Sequence, residues 1–134
     1  MAFPTYTSWG TGDVLTASGV NAIATNVNLL AYLPTNPQTG TSYTLALTDV
    51  AYIVEMNNAS SNTLTVPPNS SVAFPTGTQI IVLQTGAGQT TIAAGSGVTI
   101  NSSGSKLKLT GQWSAATLIK RATNTWGLVG DITA

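Results

Sequence analysis

The chain has 134 residues, four basic and four acidic side chains, no net charge, and neither histidine nor cysteine. Without His and Cys it can hold no zinc finger, no Ser-His-Asp or Cys-His hydrolase site and no disulfide framework. Four cations, close together only as Lys106/Lys108 and Lys120/Arg121, make too weak an electrostatic footprint for nucleic acid, and no apolar run reaches the ~18 residues of a membrane span.

Uncharged polarity takes the place of charge. Thr favours strands, whereas Asn, Ser, Gly (13 residues) and Pro (6 residues) favour turns. Hydrophobic residues are 43% of the chain, too many for a disordered segment. The composition predicts a β-protein with many short turns. A surface so poor in charge promotes association.

Residues 1–15 read as an irregular arm carrying Phe3, Tyr6 and Trp9 among Pro, Thr, Ser and Gly. Such rings either cover their own domain's core or dock on another subunit; Phe3, Tyr6, Trp9 and Leu15 are the candidate partner-docking (anchor) residues. From Thr16 the period changes. Val20, Ile23, Val27 and Leu30 fall on one stripe at helical spacing, which predicts an amphipathic helix over 16–33, ended by Leu33-Pro34. A stripe with no cover from its own chain is a candidate oligomer contact.

Residues 34–41, PTNPQTGT, read as a linker, and 42–134 as the β-domain. Strands are expected at 43–47, 50–56, 63–66, 79–84, 90–93, 98–101, 106–110, 117–121 and 125–130, punctuated by Gly, Pro and Asn. That spacing suits an antiparallel β-sandwich or barrel-like domain. Ile80–Leu83 is apolar throughout and belongs centrally or at a subunit contact, whereas Lys106 and Lys108 alternate with Leu107 and Leu109 as the wet face of a half-buried strand. Residues 90–100, TTIAAGSGVTI, look like a hairpin, and no repeat of fixed period stands out.

Chemistry-bearing motifs are sparse. Gly86-Ala87-Gly88-Gln89-Thr90-Thr91 lacks the lysine and the helix of a phosphate loop, and reads as a glycine turn. Asp49 and Glu55 lie across a strand and have no evident reason to face one sugar as a glycosidase pair must. Trp113, Trp126, Tyr43 and Tyr52 could floor a carbohydrate groove, although aromatics of a sheet more often pack in its core. Catalytic, cofactor and metal residues are therefore expected to be absent.

Two stretches carry a resemblance. Trp9-Gly10-Thr11-Gly12-Asp13-Val14-Leu15-Thr16-Ala17-Ser18, with Asn21 and Asn28-Leu29-Leu30, resembles an N-terminal segment of tailed-bacteriophage structural proteins. Most of 50–134, including Val66-Pro67-Pro68-Asn69, Phe74-Pro75-Thr76-Gly77, Lys106-Leu107-Lys108-Leu109 and Trp126-Gly127-Leu128-Val129-Gly130-Asp131, is similar to a β-domain of phage tail fibres and capsid appendages. The resemblance implies a non-enzymatic virion protein, a homotrimer bound to a major capsid or tail protein. The chain has no shaft between the two stretches, which favours a compact capsid decoration (cement or head-fibre) protein. The alternative is a short tail fibre or tail-tip adhesin that binds a host surface glycan. Either would be made in the bacterial cytoplasm and reside at the particle surface, without cofactor, nucleic acid or membrane insertion.

Overall fold

The structure, a computed structural model, describes residues 32–134. The arm, almost all of the predicted helix, and with them the candidate anchor and oligomer-contact residues of 1–30, lie outside the described residues. Tyr32 and Leu33, the last two positions of the predicted helix, are exposed and not helical.

The described unit, Pro34–Ala134, is built from eleven strands in two sheets. They are β1 (Thr35–Gln38), β2 (Ser42–Thr44), β3 (Ile53–Met56), β4 (Asn62–Val66), β5 (Gln79–Gln84), β6 (Thr90–Ala94), β7 (Thr99–Ser102), β8 (Lys108–Leu109), β9 (Ala115–Ala122), β10 (Thr125–Gly130) and β11 (Ile132–Thr133). Sheet A runs β1-β3-β5-β9-β10-β7, and sheet B runs β11-β8-β6-β4-β2. All nine predicted strands are found, β5 and β10 with the expected bounds and the others with edges displaced by a few residues.

Their connectivity is not that of an antiparallel sandwich, and no closed barrel forms. From β1 to β9 each strand lies in the sheet opposite to the one before it. Among β1 to β6, two strands adjacent in one sheet are therefore separated by a complete strand in the other, and they run in the same direction. Parallel pairing needs a long crossover, and here the opposite sheet supplies it. Thr35, Ile53 and Ile81 align in sheet A, and Ser42, Thr63 and Thr91 align in sheet B. The chain thus winds three two-stranded coils. Antiparallel β8 and β9 then close on the last coil, β8 beside β6 and β9 beside β5, so both sheets are mixed.

Two further expectations are corrected by this winding. The stretch 34–41 is not a linker, because it holds β1, whose Pro37 sits on a sheet edge where no ladder N–H is needed. Residues 90–100 are not a hairpin either: β6 and β7 belong to different sheets.

Alternate residues of each strand turn inward, and between the sheets Val54, Met56, Leu64, Val66, Ile80, Val82, Ile92, Leu109, Leu118, Trp126 and Leu128 form one core. Full burial of each such side chain contributes about 1.5–3 kcal/mol. The coils also stack at their corners. Asn57 N–H donates to the Gln38 carbonyl (2.8 Å), Asn58 Nδ2 to that of Thr39 (2.7 Å), and Gly88 N–H to that of Asn58 (2.9 Å). Inside this corner Asn62, Gln84 and Thr90 form a buried network. Thr90 Oγ1 donates to Asn62 Oδ1 (2.6 Å), Thr90 N–H to Gln84 Oε1 (3.0 Å), and Asn62 Nδ2 to the carbonyls of Ser60 and Gly88. These bonds satisfy donors and acceptors that burial would otherwise leave costly.

Candidate functional site

The first coil ends the core with polar side chains in place of apolar ones. Asn36 and Gln38 of β1 and Tyr43 of β2 meet Asp49, which lies in a short 3-10 turn (Leu47–Asp49) and is 1% exposed. Its Oδ1 accepts from Asn36 Nδ2 (2.7 Å), and its Oδ2 accepts from the Tyr43 hydroxyl and the Ala46 N–H (each 2.8 Å). Gln38 Nε2 closes the set on Asn36 Oδ1 (2.7 Å). This polar layer serves as an end cap, the device by which stacked coils stop without exposing their core. Glu55 lies on the outward side of β3, away from Asp49, so the two carboxylates do not converge on a common ligand.

The second buried charge is Lys120 on β9, 2% exposed. Its Nζ donates to Asn69 Oδ1 (2.6 Å) and to the Phe74 carbonyl (2.7 Å), and lies 5.9 Å from the centre of the Trp126 ring. In the sequence Lys120 reads only as one of two adjacent cations, with Arg121. The signal that could have found it is its parity, which matches Ala116 and Leu118 on the inward side of β9.

Tyr43 of the cap and the buried Lys120 are shifted from their ordinary values in opposite directions. Burial first, then the hydrogen bond and charge of Asp49, push the Tyr43 hydroxyl from 10.0 up to about 12. Between those values the folded chain keeps a proton that the unfolded chain has lost, so this contribution is present below pH 10 and is lost as pH rises towards 12. Burial lowers Lys120 below its usual 10.5, with the opposite sign: stability rises with pH through the lysine's folded-state pKa and levels above 10.5. Urea midpoints measured against pH are expected to climb into the alkaline range and then fall. Tyr43→Phe should abolish the fall and cost about 1–3 kcal/mol at neutral pH, because it removes a donor from a buried carboxylate. An unchanged alkaline limb in Tyr43→Phe would rule out this assignment.

The four aromatics that could floor a groove are not brought together in one. Trp126 is 1% exposed and packs edge-on against Phe74, with centroids 5.4 Å apart and rings at 86°. Tyr43 belongs to the cap, and Tyr52 is half-buried. Trp113 stands alone, 70% exposed, with a φ of 70° that a bulky L-residue rarely adopts. Its loop is fixed on every side. Trp113 N–H donates to the Gln84 carbonyl (2.7 Å), Gln112 Nε2 to that of Thr85 (2.9 Å), and Ser114 Oγ accepts from the Gly111 N–H (3.0 Å). Backbone strain held by surrounding bonds, with a large ring turned to solvent, makes Trp113 a candidate functional position. Gln112 beside it in the loop, and Thr85 bonded to Gln112, carry no charge. The sequence signal was present: Gly111-Gln112-Trp113-Ser114 places a tryptophan in turn composition, outside any apolar alternation.

An open cavity of about 290 Å³ is lined by Ser103, Lys106, Leu128, Val129, Gly130 and Ile132, and gathers one ionisable group only. Among the described residues no cluster of His, Cys, Asp or Glu could hold a metal ion, and no helix is long and apolar enough to cross a membrane. The glycine turn at 86–88 is the corner between β5 and β6. The candidate site is therefore the Trp113 loop: a rigid, uncharged recognition surface centred on one aromatic ring. No protein-family model matches the chain, and no curated protein is significantly similar to it.

Proposed function

We propose that the protein is a non-enzymatic structural component of a phage virion: a trimeric capsid decoration protein whose N-terminal segment attaches it to the particle and whose coiled β-domain projects. The observation that carries this reading is where the polar chemistry goes. Asp49, Lys120, Asn62 and Gln84 are buried and hydrogen-bonded within the fold, where they hold coils together. A stiff, neutral body of this kind suits an assembled particle, and the resemblance of 50–134 to phage appendage domains points the same way.

Antibody labelling of intact particles tests it. Gold over the capsid faces is the expected result, and gold confined to the tail would reject the decoration reading. The arm is tested by Trp9→Ala, which should weaken rebinding to particles stripped of the protein by about 2 kcal/mol or more and leave the melting temperature unchanged. Lost stability with normal rebinding would assign Trp9 to the protein's own core. The exposed, strained Trp113 favours the adhesin as the second reading, because a fixed aromatic beside a neutral amide suits the apolar face of a sugar ring.

A further inference from the structure

The two sheets present opposite characters to their surroundings. On sheet B the outward row is Ser42, Thr63, Thr91, Lys108 and Thr133, and the next is Thr44, Thr65 and Ala93. On sheet A, register aligns Thr35, Ile53, Ile81, Thr117 and Val129 in one outward row, Pro37, Glu55, Leu83 and Ala115 in the next, and Gln79, Ile119, Gly127 and Asn101 in a third, so the apolar residues sit centrally with polar ones towards the row ends. The inward residues of the same strands already supply the core, so folding of the coil does not call for apolar residues on this outer side. Val129 is 62% exposed, and Ile53, Ile81, Leu83 and Ile119 are half-buried.

Two charges of opposite sign border this apolar field. Glu55 lies in the Leu83 row towards one end, and Arg121 stands exposed at the other end of β9, where a bulge follows Lys120. An apolar centre with a polar rim is the anatomy of a protein contact, and a face carrying one charge of each sign is complementary to itself. We infer that the outward face of sheet A is the contact between copies of this chain, with the Glu55 border of one copy meeting the Arg121 border of the next. Such a head-to-tail contact forms a ring when its rotation closes, and a threefold rotation satisfies the trimeric reading on which this inference rests.

The chain has no cysteine, so introduced thiols report without background. Sedimentation of the full chain at micromolar concentration should give a trimer, Ile81→Lys should shift it to monomer, and Thr63→Lys on sheet B should leave it a trimer. Mixing Glu55→Cys protein with Arg121→Cys protein under oxidation should yield disulfide-linked dimers that neither gives alone, a test that does not require the lysine variant to fold. A monomeric wild type would overturn the trimeric reading and this inference together. A wild-type trimer that survives Ile81→Lys and forms no mixed disulfide would overturn the face assignment alone. A lower melting temperature in Ile81→Lys with the trimer intact would also overturn it, by assigning the cover of this face to the protein's own chain.

Discussion

Gly88→Ala is expected to leave little folded protein. A Cβ at this position would fall on the carbonyl of Ser60 in the coil stacked beside it, and at Gly86 on the backbone of Asn58. Backbone cannot turn aside as a side chain can, so the corner must open, and with it the Asn62–Gln84–Thr90 network. A loss of about 3 kcal/mol or more follows, in the range of severe overpacking. Two other glycines calibrate the result. Gly111 has open space around it and ordinary φ, so Gly111→Ala should stabilise by about 0.4–1 kcal/mol through the unfolded chain. Gly97 also has open space, but its φ of +77° makes Gly97→Ala cost roughly 1–2 kcal/mol. Urea unfolding of the three variants checks the order. Gly88→Ala as stable as Gly111→Ala would mean that the corners do not stack.

Two tryptophans should respond in opposite ways to the same change. Trp126→Ala removes the largest buried side chain, its edge contact with Phe74 and the ring near the Lys120 ammonium, at a cost of about 3–5 kcal/mol. Trp113→Ala removes a ring that is 70% exposed and should leave stability within about 0.5 kcal/mol. Trp113→Gly should raise the melting temperature, since glycine adopts a φ of 70° without the steric cost that Trp pays. Under the adhesin reading, both Trp113 variants should weaken binding to a host glycan by about 2 kcal/mol or more, as loss of an aromatic anchor does. Thermal melts of Trp126→Ala and Trp113→Gly settle the first half. A Trp113→Gly protein destabilised as much as Trp126→Ala would show that the Trp113 ring is packed and carries no recognition.

Strand positions were legible because their signals are local. β5 and β10 match their expected bounds residue for residue, since Gly77-Thr78 and Asn124 mark their starts and alternation or apolarity runs unbroken between turns. The central place of Ile80–Leu83 followed from apolarity on both faces, and β5 does lie between β3 and β9. The strand β1 was missed because Thr35-Asn36-Pro37-Gln38 has no apolar residue pointing inward; its inward side chains are the amides of the cap. Trp113 was legible as one of four aromatics that could floor a groove, but not as the one that stands alone and exposed. Its exposure depends on the φ at one position and on hydrogen bonds to Gln84 and Thr85, far away in sequence.

By itself the sequence determined a neutral, threonine-rich chain of short strands and glycine corners, with one apolar side to most strands, because propensity and alternation act within a few residues. Only the tertiary structure decided which strands pair, and in which direction. The coils are unequal in length, aligning residue 35 with 53 and 81 in one sheet and 42 with 63 and 91 in the other, so the repeat leaves no fixed period to read. Parallel neighbours, the buried Lys120 and the cap around Asp49 all arise from contacts between residues distant along the chain. Their free energy is realised only once the coils have stacked, and no local pattern encodes it.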